Sequence, residues 1–266
     1  MKKKNLIVII LTAVIFLSAV VLGVTTVYRV DDVQLNVEVY SAEATAEAED
    51  LQEKLSALYK DESILFAGKS AAEELFEDYP YFRITDFKKE FPNKIIVEAK
   101  EDVEVYAVKS GEDYYILSLD GTILGVRDSA KNRSDGNDNV LVQGLTVSGK
   151  KGEKVSGDEW NALLKVGQTI SEKLDGVRSN FVEIAVANPT SSTEEIIFKI
   201  KTRETVNLYI RNPYENTEEK ADALVEYYKN LEDEERLCGM VVAYDANGEV
   251  NVSYFNSDSL ETYFNQ

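Results

Sequence analysis

Catalysis needs nucleophiles, general acids and bases, or metal ligands at suitable spacing, and this chain of 266 residues supplies few of them. It contains no histidine. That removes the usual general base near neutral pH, imidazole-based triads and most zinc sites. Its one thiol, Cys238, stands between Leu237 and Gly239. With no imidazole to activate it, the expectation is a buried structural cysteine. Carboxylates number 48, so a glycosidase-like pair can be imagined, but at this density chance pairs are expected and most acids are surface groups. Lys69-Ser70 has the composition of a nucleophile and its base without a motif around it. Asp135, Asn137, Asp138 and Asn139 offer oxygen ligands for Ca²⁺ yet lack the twelve-residue order and closing Glu of an EF-hand. The stretch 128–139 is read as a flexible polar loop with nothing to bury. No catalytic, cofactor-binding or metal-ligating residue is assigned, and the chain is read as non-enzymatic.

Binding is the chemistry that remains. The last alternating stretch, Glu249–Phe255, can end a sheet and leave a backbone edge that accepts a partner strand. Tyr244, Tyr254 and Phe255 are aromatic anchors suited to such a contact. Strand alternation requires about half of such side chains to face a core instead. The charge balance limits the partners. With 29 Lys and Arg against 48 Asp and Glu, the net charge is −19, which repels nucleic acid and anionic headgroups.

The elements that position these residues begin with a membrane anchor. Lys2, Lys3 and Lys4 precede an apolar run from Leu6 to Val24. About nineteen residues at ~1.5 Å each give roughly 28 Å, close to the ~30 Å of a hydrocarbon core. Three lysines before the run, and Asp31 and Asp32 after it, place the N-terminus in the cytoplasm and the rest outside. A cleaved signal peptide has a shorter apolar core and a small-x-small site, which residues 25–28 do not form.

Beyond the span, Val33, Leu35, Val37 and Val39 alternate as in a half-buried strand. Ala44, Ala48, Leu51, Leu55 and Leu58 then mark a helical face. A second helix holds Ala71, Ala72, Leu75 and Phe76, with Ser70 as its N-cap. Strands follow at Tyr81–Phe91 and Lys94–Lys100. The order strand, helix, helix, strand, strand predicts a compact α+β unit. From Val103 the chain turns to strands, with Asp120-Gly121 as a type I′ turn and Ala246-Asn247-Gly248 as another turn. One helix is expected around Leu163–Ile170. Another has Asn216 and Glu219 as a capping box and Ala221, Leu224, Val225, Tyr228 and Leu231 as its buried stripe. The fold class is therefore α+β: a single transmembrane helix, a strand-helix-helix-strand-strand unit, and a mixed β-rich domain. The boundaries are 1–5 cytoplasmic, 6–28 membrane, 29–100 first outer unit, 101–255 β-rich domain and 256–266 a short polar tail.

This layout resembles the FtsQ/DivIB family of bacterial cell-division proteins, whose first outer unit is a POTRA domain. Tyr79-Pro80-Tyr81-Phe82 resembles the family's helix-ending step. Phe91-Pro92-Asn93-Lys94-Ile95-Ile96-Val97-Glu98 resembles its strand pattern, and Tyr114 to Leu124 its hairpin. Glu101-Asp102-Val103-Glu104 departs from the family, lacking its Arg and Pro. The resemblance implies a divisome scaffold at the division septum, in the cell membrane. Its partners would be FtsB/DivIC-like and FtsL-like bitopic proteins, held through Tyr244, Val252, Tyr254 and Phe255. Two other classes predict different features. A membrane-anchored enzyme acting on wall material predicts a cleft with converging carboxylates. A POTRA-type secretion chaperone predicts a following barrel of many alternating strands.

Overall fold

A computed structural model describes residues 3–187 and 196–256, with side chains at 3–9, 20–22, 24, 25, 42 and 43 outside the description. The start of the expected strand at Glu195 and the expected tail from Ser257 onward lie outside the described residues. The chain is α+β and divides into two compact units, Met1–Glu101 and Asp102–Gln266.

The first unit starts with α1 (Lys3–Val27), a helix of 25 residues over most of the stretch expected to span the membrane. Among the described residues no helix is long and apolar enough to cross a membrane. Large apolar side chains of α1 point outward: Ile10, Leu11, Val14, Ile15, Phe16 and Leu17 are all more than half exposed. After it come β1 (Asp32–Glu38), α2 (Ala42–Tyr59), α3 (Lys69–Phe76), β2 (Phe82–Glu90) and β3 (Lys94–Glu101). β3 lies in the middle of the sheet, parallel to β1 and antiparallel to β2. Ala44, Ala48, Leu51 and Leu55 of α2 pack with Ala72 and Phe76 of α3 over Ile95, Val97 and Ala99 of β3.

Two local expectations change here. The stripe of α2 ends on Tyr59, which is fully buried, while Leu58 is 36% exposed. Tyr59 can be buried because its hydroxyl donates to the Gly68 carbonyl at 2.6 Å. The N-cap of α3 is Gly68, and Ser70 lies inside the first turn. Ser41 does cap α2, accepting from the Ala44 N–H at 3.1 Å. Glu101, at the end of β3, accepts from the Ser41 hydroxyl at 2.8 Å and from the Tyr40 and Ser41 N–H groups. That carboxylate ties the start of the helix to the end of the central strand.

The second unit runs β4 (Glu104–Ser110), β5 (Asp113–Ser118), β6 (Ile123–Arg127), β7 (Val140–Gln143), α4 (Asp158–Lys173), α5 (Val177–Asn180) and β8 (Phe181–Ala187). It continues with β9 (Ile197–Thr202), β10 (Asn207–Arg211), α6 (Thr217–Lys229), α7 (Asp233–Arg236), β11 (Met240–Ala246) and β12 (Glu249–Phe255). The strands form one sheet in the order β12-β11-β10-β9-β8-β7-β4-β5-β6. β7 pairs parallel to β8, and β10 parallel to β11. Parallel neighbours need a crossover, which α4 and α6 supply. Both helices contribute to the main core with Val142, Ile184, Ile200, Leu208, Val241 and Ala243 of the sheet. Gly167 in mid-α4 permits close approach: a Cβ there would stand 1.8 Å from the Tyr106 hydroxyl oxygen.

Hairpin geometry departs from expectation at Asp120-Gly121. Gly121 has φ +80°, but Asp120 is not in the left-handed region, and Gly121 N–H bonds the Ser118 carbonyl at 3.1 Å. This is a three-residue loop, a type I turn closed by a left-handed glycine, rather than type I′. At the other hairpin Asn247 and Gly248 both have positive φ, +55° and +81°, as type I′ requires.

Candidate partner-binding edge

β12 is one of the two end strands of the nine-stranded sheet among the described residues, β6 being the other, and β11 is its neighbour. The two-residue Asn247-Gly248 turn pairs Ala246 with Glu249 and so fixes the whole register, Tyr244 opposite Asn251 and Val241 opposite Tyr254. That register separates the four expected contact residues. Val252 and Tyr254 pack against the main core, on the side of α6. Tyr244 and Phe255 belong to a smaller cluster with Ile197, Tyr209, Met240 and Val242. The two groups therefore flank the edge from opposite faces. The signal for this was present in the sequence, because a two-residue Asn-Gly loop dictates which residues stand opposite.

Tyr254 is held in place. Its hydroxyl donates to the Cys238 carbonyl at 3.2 Å and lies 3.7 Å from the Cys238 sulfur. Burial pushes the phenol up to about 12, with Cys238 beside it adding to the rise, so it stays a donor at neutral pH. Cys238 itself is exposed rather than buried. The reason is local: it follows α7 at a chain reversal, where Gly239 has φ +80° and the chain turns into β11.

The hairpin that carries this edge is tied to α6 by an ion pair between a buried lysine and a partly exposed aspartate. Lys220 has no exposed surface, and its ammonium donates to the carbonyls of Arg211 at 3.0 Å and Asn212 at 2.8 Å. Its third partner is the Asp245 carboxylate. Asn216 donates to the other Asp245 oxygen at 2.9 Å. Burial works against the Asp245 charge, yet these donors outweigh it and hold the group below the usual carboxylate range. This changes the role expected of Asn216. It precedes α6 in a left-handed conformation and makes no side-chain cap bond, because its amide serves Asp245.

A buried carboxylate organises the stretch 128–139, which is ordered rather than a loop with nothing to bury. Glu104 is 1% exposed at its side chain and pairs with both terminal nitrogens of Arg127, at 3.0 and 2.6 Å. It also accepts from the Arg133 N–H and the Asn139 amide, both at 3.1 Å. Asn132 and Asn139 are buried, and Asn132 donates to the Glu104 carbonyl and to Asn139. Asp135, one of the oxygen groups weighed for Ca²⁺, pairs with Arg178.

Asp120 provides a pH test. Burial raises its pKa, but bonds from Lys154 at 2.7 Å, Ser118 at 2.6 Å and Thr122 at 2.9 Å outweigh that and hold it far below the ordinary value. A depressed carboxylate stabilises the folded state above its unfolded pKa, about 3.9. That contribution is lost as pH falls below it toward the folded pKa. Asp120→Asn is expected to cost about 1 kcal/mol at pH 7 and to flatten the acid side of the stability profile. Urea midpoints from pH 7 to pH 2.5 measure this; parallel profiles for both proteins would refute it.

Groups converging for other chemistry are sparse. Among the described residues, no cluster of three or more His, Cys, Asp or Glu is placed to hold a metal. A cleft of about 420 Å³ beside Trp160 is lined by one carboxylate, Glu159. Another of about 270 Å³ holds Asp138 with Lys131 and Arg203. Neither brings two carboxylates together.

Fold and site define a two-unit α+β chain whose second sheet finishes on a terminal strand. No family model matches the chain. It is 23% identical over 135 residues to a cell division protein DivIB of Clostridium tetani, covering 51% of this chain and 49% of that protein. It is 29% identical over 104 residues to a DivIB of Clostridium acetobutylicum, covering 39% of this chain and 40% of that one. The matches thus span about half, or less, of these relatives' length. Among solved structures, the major extracytoplasmic domain of DivIB from Geobacillus stearothermophilus aligns with 50% of this chain and 98% of its own. The TM-score is 0.30 at 12% identity. The two curated relatives bear out the resemblance to the FtsQ/DivIB-type family drawn from the motifs.

Proposed function

We propose that this chain is a non-enzymatic scaffold of bacterial cell division, anchored in the cell membrane at the septum and working outside it. The observation that carries the reading is the end position of β12 among the described residues, which supports an outer edge for strand addition. Tyr244 and Phe255 on one face, and Val252 and Tyr254 on the other, would flank an added strand. FtsB/DivIC-like and FtsL-like bitopic proteins are the proposed partners, and the similarity to DivIB proteins supports them. Residues 6–28 form the proposed anchor, with the N-terminus cytoplasmic. The outward apolar side chains of α1 support it, since water is a poor solvent for such a surface. Anchoring both partners confines them to two dimensions and raises their effective concentration. Residues 29–100 act as a POTRA-like docking module.

The test is calorimetry of the full chain in detergent against the outer segments of DivIC-like and FtsL-like proteins from the same organism. Ser253→Lys is the informative variant, because Ser253 lies on β12 outside the main core, whereas a lysine at Tyr254 would damage packing. A charge on an edge strand opposes pairing. The variant should weaken binding about tenfold, or ~1.4 kcal/mol, with an unchanged thermal midpoint. Absence of binding by the folded wild-type chain would sink the reading, and equal binding by Ser253→Lys would move the contact off β12.

A further inference from the structure

The first unit holds an apolar surface beside the end of α1 that its core does not use. Leu65 and Phe66, in the segment between α2 and α3, are 47% and 87% exposed, and Phe91, at the β2–β3 turn, is 58% exposed. Slack chain does not account for this. Ile64 and Ala67, on either side of the pair, are buried in the core of the unit, and the Phe66 and Ala67 N–H groups both bond the Ser63 carbonyl, at 2.9 and 3.0 Å. Backbone hydrogen bonds also fix the segment to the residues just after α1. Ile64 N–H donates to the Tyr28 carbonyl and Val30 N–H to the Glu62 carbonyl, both at 2.8 Å. Asp31 N–H donates to the Asn93 carbonyl at 2.9 Å, and the Phe91 and Tyr28 rings meet edge-on with centroids 6.1 Å apart. Val27, the last residue of α1, is 55% exposed. Leu65, Phe66 and Phe91 therefore continue the apolar surface of α1 past its end.

The charges and the reach decide what this surface meets. Arg29 pairs with Asp61 and Lys94 with Asp32, and the Lys89 ammonium reaches the Leu65 carbonyl at 3.5 Å. Asp31, Glu62 and Glu90 stand beside them in the sequence, so this end has no basic excess to hold anionic headgroups. Its contact chemistry is apolar. Tyr28 closes the proposed anchor, and Ile64 is bonded at that level. Phe66 follows two residues later, at most ~7 Å of chain away. The polar layer on each side of a hydrocarbon core is roughly 5–7 Å thick, so these side chains are within reach of it. We propose that Leu65, Phe66 and Phe91 enter the outer interface of the bilayer and hold the first unit against the lipid around its own anchor. The inference rests on the reading of residues 6–28 as that anchor. Lipid is the occupant because α1 carries the surface to it, and aromatic and leucine side chains settle at that depth. These contacts restrict the tilt of the first unit, which the covalent link to α1 alone does not.

The experiment uses the full chain in phosphatidylcholine nanodiscs, with Cys238→Ser and an NBD fluorophore on Leu65→Cys, Phe16→Cys or Tyr40→Cys. Phe16 lies within the proposed anchor and reports it separately. Tyr40 is 55% exposed beyond the far end of β1, whose seven residues span ~23 Å, and so marks the distal end of the unit. Lipids carrying a nitroxide near the headgroup should quench the label at position 65 severalfold more than the label at position 40. Phe66→Ser with Phe91→Ser, both at exposed positions, should remove most of that difference. If deep nitroxides quench position 16 while position 65 matches position 40, the anchor stands and the proposal falls. If position 16 escapes quenching, the anchor fails and takes the proposal with it. Quenching at position 65 that survives the double substitution reports only nearness to the membrane and overturns the proposal. So does a blue-shifted label there that lipid nitroxides do not reach, which assigns the surface to protein.

Discussion

Lys220→Met is expected to lower the stability of the second unit by about 3 kcal/mol. The side chain has no exposed surface, and its ammonium satisfies two carbonyls and the Asp245 carboxylate. Methionine keeps the volume of the stem but supplies no donor. The Arg211 and Asn212 carbonyls lose the donor that Lys220 supplies, and Asp245 keeps its charge without its main counter-ion. The urea midpoint should fall with little change in slope, since the surface exposed on unfolding is nearly the same. Pairing the substitution with Asp245→Leu should recover much of the loss, because removing both partners of a buried ion pair is far milder than removing one. A single-variant cost below about 1 kcal/mol would contradict the buried ammonium. Amide exchange should quicken along β11 and β12, since Asp245 is the link from α6 to that hairpin.

Glu104→Ala should cost a similar amount, about 3 kcal/mol, but with a different local signature. Here the removed group is a 1% exposed carboxylate that accepts from Arg127 twice, from the Arg133 N–H and from Asn139. Its loss strands a partly buried guanidinium and releases the two asparagines that fix 128–139. Limited proteolysis should then cut within 128–139 under conditions that leave the wild-type chain intact. Uniform protection in both proteins would refute the role of Glu104 as organiser. Glu104→Gln, which keeps acceptor capacity but not charge, should fall between the two.

These sites show what a sequence makes legible. The stripe Ala221, Leu224, Val225 and Tyr228 repeats at helical spacing, and all four side chains are buried in α6. Ile95, Val97 and Ala99 alternate and line the core beneath α2 and α3. Lys220, beside that stripe, reads as a solvated lysine because its partners arrive from β10, β11 and the intervening turn. Glu104 reads as surface for the same reason, since Arg127, Asn132 and Asn139 reach it only through the folded sheet. Leu58 and Tyr59 exchange roles because a small rotation of one helix decides which of two neighbours faces inward. Cys238 lies exposed because chain direction at Gly239, rather than residue type, sets its environment.

Periodicity follows from local backbone geometry, so the amino-acid order by itself determined α2, α3, α4 and α6, the alternating strands and the pairing of β11 with β12 through Asn247-Gly248, whereas the single turns α5 and α7 are too short to show a period. Composition likewise determined the absence of histidine and the strongly acidic balance. Which strand ends the sheet, which face each aromatic joins and which charges are buried were decided only by the tertiary structure. Strand order, shared faces and desolvation each depend on groups distant in the chain meeting in space, where a carboxylate or ammonium exchanges water for a fixed partner.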